Sequence, residues 1–177
     1  GMTSERVETI FNAVKTWLPS LIGRIRDQQA SETVLQPQGP FPVEKQKALG
    51  LAVMQRLGFD FEAGRLDVSL HPFCGGVPED VRITTRYRDD DFVQSLMGIV
   101  HETGHACYEQ HLPRAWLSQP VGRARSMGIH ESQSLSFEMQ LGRSRPFLQW
   151  ITPLIQQQFG TGDAWSADNL ALLYTRV

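Results

Sequence analysis

Residues 92–105 read FVQSLMGIVHETGH, an apolar run that leads into two histidines four positions apart. If this run is helical, residues four apart lie on one face, so His101 and His105 can direct a ring nitrogen at the same cation. Glu102 would project beside that cation, where a carboxylate can take a proton from a metal-activated water. The stretch therefore predicts a helix that carries two metal ligands and a general base.

A third ligand is expected, because catalytic zinc usually binds three protein side chains and one water molecule. Glu131 offers a carboxylate in the segment GIHESQS, residues 128–134. The competing interpretation is that His101 and His105 only form hydrogen bonds within a structural helix. Glu131 favours the metal site, although the alternative stays open from these residues alone.

The composition is that of an ordinary globular protein. With 177 residues, of which 41% are hydrophobic and 20% charged, the chain can bury a core of its own. We expect residues 2–177 to form a single domain, and Gly1, which precedes Met2, to be a scar of tag removal.

The charge and cysteine patterns argue against several kinds of partner. A net charge of −2 without a basic stripe predicts no nucleic-acid partner. The sequence lacks an apolar run long enough to span a membrane and lacks a signal peptide, so no membrane association is expected. Cys74 and Cys107 do not form a C-x-x-C pair, which favours a cytoplasmic location.

Apolar periodicity predicts a mainly helical chain. Pro19 should break or bend the first helix, and Gly58 should end the second. The expected helices cover residues 4–29, 43–57, 92–111, a segment that begins near 128, and 166–174.

Alternation of apolar and polar residues predicts strands over 66–70 and 81–87, with the turn-forming segment CGGVP, residues 74–78, between them. We therefore expect a small antiparallel β-hairpin or sheet beside the metal helix. The edge of a strand in that position could bind the backbone of a peptide by strand addition.

Polar residues recur on one face of the second predicted strand. A period of two places Asp80, Arg82 and Thr84 together, either as a solvated face or as a polar row beside the metal. Glu138 follows Glu131 by seven residues, two helical turns, so its carboxylate can orient a metal ligand.

Four short motifs occur here in a fixed order, namely H-P-F at residues 71–73, D-x-R-x-T at 80–84, H-E-x-x-H at 101–105 and H-E-S-Q at 130–133. Together they resemble the motifs of peptidase family M32, the thermostable metallocarboxypeptidases of the Taq type. Members of that family are much longer and carry two further motifs, I-R-x-x-A-D and G-x-x-Q-D-x-H-W, that this sequence lacks. The family's S-R-x-W-E-N continuation also reads SLSFEM here, at residues 134–139.

The resemblance implies a gluzincin-like active-site helix and a role for each matching residue. Zn²⁺, or Co²⁺ in its place, would be held by His101, His105 and Glu131, with Glu102 as the catalytic base. The substrate would be a peptide with a free C-terminus, and the parent protein would be a homodimer. Roles in substrate binding or in supporting the ligands would belong to His71, Asp80, Arg82, Thr84, His130, Gln133 and Glu138.

The resemblance also identifies the sequence as a catalytic-core fragment without the family's N-terminal part and C-terminal motifs. Such a fragment is expected to be weakly active or inactive as a carboxypeptidase. Two alternatives remain open, another zinc endo- or aminopeptidase with the same ligand class, and a non-catalytic fragment or binding module with an impaired or absent metal site.

Overall fold

A computed structural model of the chain describes residues 2–177. Short 3-10 turns connect several of the longer elements. In chain order these elements are α1 (Ser4–Lys15), α2 (Leu18–Ala30), α3 (Val43–Leu57), β1 (Gly64–Val68), β2 (Phe73–Val77), β3 (Asp80–Thr85), α4 (Val93–Gln110), α5 (Met127–Leu135), a π-helical segment (Ser136–Leu141), α6 (Arg145–Phe159) and α7 (Ala167–Tyr174). The prediction of a mainly helical protein with a small sheet is confirmed.

The first predicted helix is divided in two, as its proline suggested. The backbone leaves the helical region at Trp17 (φ −125°, ψ −32°), and Pro19 lies in the first turn of α2. Proline is tolerated there because a first-turn residue has no intrahelical partner for its missing N–H. Gly58 ends α3 in a left-handed conformation (φ 93°), which confirms the second boundary.

The sheet has the strand order β1–β3–β2, with β3 parallel to β1 and antiparallel to β2. An antiparallel hairpin is therefore present, but the predicted pairing of its strands was wrong. Residues 73–77 form β2 itself, and the turn lies at Pro78 and Glu79. Gly76 was read as a turn residue, whereas a Cβ there would lie 2.1 Å from the carbonyl oxygen of Asp80, so this glycine permits close approach to β3.

The same order corrects the expectation about the strand edge. The strand that carries Asp80, Arg82 and Thr84 is the central one, because β3 is paired on both sides. The strands with an unpaired edge in this sheet are β1 and β2.

Helix α4 is buried on two sides and connects the two parts of the core. On one side Ile99 and Ala106 pack with Val81 and Ile83 of β3. On the other, Leu96, Val100 and their neighbours belong to a cluster with buried residues of α3, α6 and α7. Each fully buried aliphatic side chain of this kind contributes about 1.5–3 kcal/mol, so α4 is a rigid platform for its polar residues.

The ends of α4 are defined by side chains. The Asp91 carboxylate accepts hydrogen bonds from the backbone N–H groups of Val93 (2.9 Å) and Gln94 (3.2 Å) at the start of the helix. Pro113 follows the helix end at His111. Within residues 2–177, no helix is both long and apolar enough to cross a membrane.

Candidate metal centre

His101 and His105 lie one turn apart on α4, and Glu131 approaches them from α5. The Oε2 atom of Glu131 is 3.7 Å from His101 Nε2 and 3.2 Å from His105 Nε2. All three ligand-type atoms lie within 4.8 Å of one another. The structure thus brings together the three side chains that the sequence selected as ligands.

The close approach of α5 to α4 depends on Gly104. A Cβ at this position would lie 2.7 Å from Ser134 Cα and 2.9 Å from the carbonyl oxygen of Gln133. These contacts are too short for any larger residue, so the glycine lets the two helices pack with their backbones nearly touching. That packing carries Glu131 to the histidine pair.

Glu138 contacts the first histidine through the π-helical segment. Its Oε2 atom is 3.0 Å from His101 Nδ1, and its Oε1 atom accepts a hydrogen bond from Arg143 Nη2 at 2.8 Å. Arg143 in turn donates from Nη1 to the backbone carbonyl of Tyr174 (3.0 Å). Single π-helical turns occur often at functional sites, and this one brings Glu138 within reach of His101.

The second histidine is held by a longer chain of contacts. His105 Nδ1 is 2.6 Å from His130 Nδ1, and His130 Nε2 is 2.8 Å from the Glu109 carboxylate. Tyr108 packs its ring edge against His130, with 5.1 Å between ring centroids. We call Glu109, His130 and His105 the histidine relay.

The protons of this site follow from its acceptors. A carboxylate can only accept, so the contact with Glu138 places a proton on His101 Nδ1 and leaves Nε2 as the nitrogen that can bind a metal. His101 Nε2, His105 Nε2 and Glu131 Oε2 lie close together, and a metal ion between them would replace the contact of His105 Nε2 with Glu131. Ligands of tetrahedral zinc are about 3.4 Å apart at ordinary bond lengths, so these residues fit zinc.

Glu102 lies between two cavities. One, of about 450 Å³, is lined by His101, Glu138 and Arg143 among others, and the second, of about 320 Å³, by His105, His130 and Cys74 among others. Glu102 and Pro72 line both cavities, so Glu102 lies at the border between them.

Burial perturbs the ionisation of the groups around these cavities. It raises the pKa of Glu102, an effect that His101 opposes and the charge of Glu131 increases. Burial also lowers the pKa of His105, and His130 and His101 lower it further, whereas the charge of Glu131 and its hydrogen bond oppose the shift. A neutral imidazole is the form that binds a metal, and a carboxyl group with a raised pKa is suited to proton transfer.

The other predicted residues fall into two groups. His130 and Glu138 contact the histidine pair directly. The remaining five have local contacts elsewhere: Arg82 pairs with Asp80 at 2.7 Å on the exposed face of β3, Thr84 donates to the backbone carbonyl of His71 at 3.0 Å, and Gln133 donates to Ser132 at 3.4 Å.

Two residues of the site were missed in the sequence. Glu109 could have been found, because it follows His105 by four positions just as His105 follows His101. Arg143 carried no such signal, since it reaches Glu138 across a π-helical turn that helical periodicity does not predict.

Comparisons with known proteins place these features in a wider group. The sequence model of one family, described as "Carboxypeptidase Taq (M32) metallopeptidase", matches residues 1–177. Thermostable carboxypeptidase 1 of Thermus thermophilus is 40% identical over 162 residues, which are 91% of this chain and 32% of that protein. Carboxypeptidase 1 of Bacillus subtilis is 39% identical over 148 residues, which are 83% of this chain and 30% of that protein.

Solved structures show the same relationship. Metallocarboxypeptidase 1 of Trypanosoma cruzi superposes with a TM-score of 0.96 at 50% identity. The match covers 100% of this chain and 37% of that protein. The M32 carboxypeptidase of Deinococcus radiodurans R1 superposes with a TM-score of 0.87 at 34% identity. The match covers 97% of this chain and 35% of that protein. The chain spans about a third of the length of the curated relatives it matches.

Proposed function

Because this chain belongs to the carboxypeptidase Taq (M32) metallopeptidase family, we propose that it forms the zinc centre of an enzyme that releases C-terminal residues from peptides. The observation that carries the proposal is the convergence of three ligand-type atoms, His101 Nε2, His105 Nε2 and Glu131 Oε2, within 4.8 Å of one another. Cobalt is the alternative metal for the same ligands.

Three side chains would hold the metal and one would move protons. Bound zinc supplies Lewis acidity, which polarises the scissile carbonyl and lowers the pKa of a water molecule to about 7. Glu102 takes the proton of the attacking water and delivers it to the leaving amine. Its position at the border of the two cavities supports this role, because space for a substrate lies on either side of Glu102.

The substrate backbone would bind along β2. This strand has one unpaired edge, and two of its residues, Phe73 and Cys74, line the cavity that contains Glu102 and His105. An extended peptide can pair with such an edge through its own N–H and C=O groups. Main-chain pairing would hold peptides of varied sequence across the metal ligands.

The metal is tested by elemental analysis of the purified protein beside His101→Ala. We expect about one zinc per chain in the parent and a loss of it in the variant. A parent protein that takes up no zinc even when zinc is supplied would contradict the proposal, and would favour a non-catalytic module.

The specificity is tested with two matched peptides, both blocked at the N-terminus, one with a free C-terminus and one amidated. Release of the last residue from the free peptide alone supports a carboxypeptidase. Cleavage of the amidated peptide would point to an endopeptidase, and a requirement for a free N-terminus to an aminopeptidase.

We also propose that the protein is located in the cytoplasm and that the parent protein is a homodimer.

A further inference from the structure

Glu109 lies at the end of the histidine relay, one helical turn beyond His105 on α4. We propose that Glu109 is a positioning residue for the metal: acting through His130, it holds His105 in the tautomer that presents a bare Nε2 to the ion. This inference rests on the zinc centre proposed above. Glu109 is not one of the three residues whose ligand atoms converge.

The direction of each hydrogen bond in the relay follows from its two ends, Glu109 and the metal. The Glu109 carboxylate accepts only, so the proton at the 2.8 Å contact lies on His130 Nε2. When a metal takes His105 Nε2, the ring proton of His105 is on Nδ1, so at the 2.6 Å contact between the two Nδ1 atoms His105 donates and His130 accepts. The same metal replaces the contact of His105 Nε2 with Glu131 Oε2, which are 3.2 Å apart.

Without the Glu109 carboxylate, nothing in the relay decides which histidine donates at the contact between the two Nδ1 atoms. Two neutral imidazoles can share the proton between their Nδ1 atoms either way, and one of the two arrangements puts a proton on His105 Nε2, where the metal must bind. Glu109 opposes that arrangement, because His130 Nε2 and the carboxylate would then face each other without a proton, whereas Glu131 favours it until the metal binds. The side chains of His130 and Glu109 are only 16% and 21% exposed, so water competes weakly for these bonds.

The relay also couples the two helices that supply the ligands. His130 and Glu131 are adjacent on α5, so the same docking of α5 positions both the third ligand and the central member of the relay. His101 is held differently, by direct contact with Glu138. The two histidines of the motif therefore have separate supports, and Glu109 acts on one of them.

Zinc affinity tests the inference, measured by competition with a chelator in four proteins: the parent, Glu109→Gln, His130→Ala and the double variant. We expect Glu109→Gln to weaken zinc binding about 10- to 100-fold in the parent background. In the His130→Ala background the same change should cost less than about twofold, because its route to His105 is already cut. Equal losses in both backgrounds would overturn the proposal, since Glu109 would then act by its charge alone.

A matched control comes from the cavity of about 400 Å³ that Glu109 lines together with Glu79. Glu79→Gln removes the same charge from the same cavity but leaves the relay intact. We expect it to change zinc affinity by less than about twofold. A loss as large as that of Glu109→Gln would overturn the proposal.

Imidazole nitrogen spectra of the metal-free Glu131→Ala variant give a readout that does not depend on zinc, because Glu131 then no longer draws a proton onto His105 Nε2. Long-range proton–nitrogen NMR should show the proton on Nε2 of His130 and on Nδ1 of His105, and a mixture of tautomers when Glu109→Gln is added. A proton on His130 Nδ1 in Glu131→Ala would overturn the proposal even if the parent protein binds zinc. Conversely, the expected tautomers together with a parent protein that takes up no zinc would refute the zinc centre and leave the proton order of the relay standing.

Discussion

His101 Nδ1 lies 3.0 Å from Glu138 Oε2, and the two residues are 37 positions apart in the chain. The contact joins α4 to the π-helical segment, and Arg143 extends it by a 2.8 Å hydrogen bond to the other oxygen of Glu138. A carboxylate on the far nitrogen of a ligand histidine fixes the ring and increases its basicity. The contact therefore leads to a first prediction.

Glu138→Ala should weaken zinc binding by about 10- to 100-fold, because His101 loses the acceptor that orients it. Glu138→Gln should also weaken binding, because an amide can donate as well as accept and therefore no longer fixes the proton on His101 Nδ1. The affinities are measured by chelator competition, with Glu8→Ala on the exposed face of α1 as the control. An affinity unchanged in Glu138→Ala would show that His101 needs no such support.

Gly104→Ala should separate α5 from α4. The added Cβ would lie 2.7 Å from Ser134 Cα, so the helices must move apart and Glu131 must move away from the histidines. We expect a loss of about 1–3 kcal/mol in the free energy of unfolding, together with weaker zinc binding.

The same helix offers a control for that change. A Cβ at Gly98 would meet its nearest neighbours only at 3.9 Å, so Gly98→Ala should leave stability unchanged or raise it by up to about 1 kcal/mol. Denaturant unfolding of both variants checks the pair. If Gly98→Ala were as destabilising as Gly104→Ala, loss of helix flexibility rather than the steric contact would be the cause.

Glu102→Gln should separate metal binding from catalysis. The amide cannot accept the proton of the attacking water, so the rate of peptide hydrolysis should fall by about 10²- to 10⁴-fold. Zinc content should stay at the parent level, because Glu102 is not among the three converging ligand atoms. A variant that loses zinc as well would instead assign Glu102 to the structure of the centre.

Cys74 should be nearly inert to alkylating reagents at pH 8 in the metal-free protein. Burial raises the pKa of its thiol to about 12, and the charges of Glu102 and Glu109 add to the effect. A raised pKa means less thiolate at a given pH, and thiolate is the reactive form.

The rate is measured by site-resolved mass spectrometry of the folded and the unfolded protein. Relative to an ordinary thiol of pKa near 8.5, the thiolate fraction at pH 8 should be lower by more than about 1,000-fold. Labelling of Cys74 in the folded protein as fast as in the unfolded chain would contradict both its burial and this pKa.

Local signals in the sequence identified the helices well and the sheet only in part. Gly58 ended α3 as expected, because a left-handed cap depends on one residue. The glycines of β2 were mistaken for a turn, since they have no side chains to show the alternation of a strand. The parallel pairing of β1 with β3 was not predicted either, because pairing between distant strands depends on the whole core.

The sequence alone determined α4 and the shared face of His101 and His105, because a spacing of four residues is converted into proximity by the helix itself. It also selected Glu131, and the family that its motifs resemble is confirmed. Only the tertiary structure decided how these groups are supported: Glu131 and His130 reach α4 because α5 packs against Gly104, and Glu138 reaches His101 through a π-helical turn. Such contacts arise from the packing of separate segments, and no local pattern in either segment specifies them.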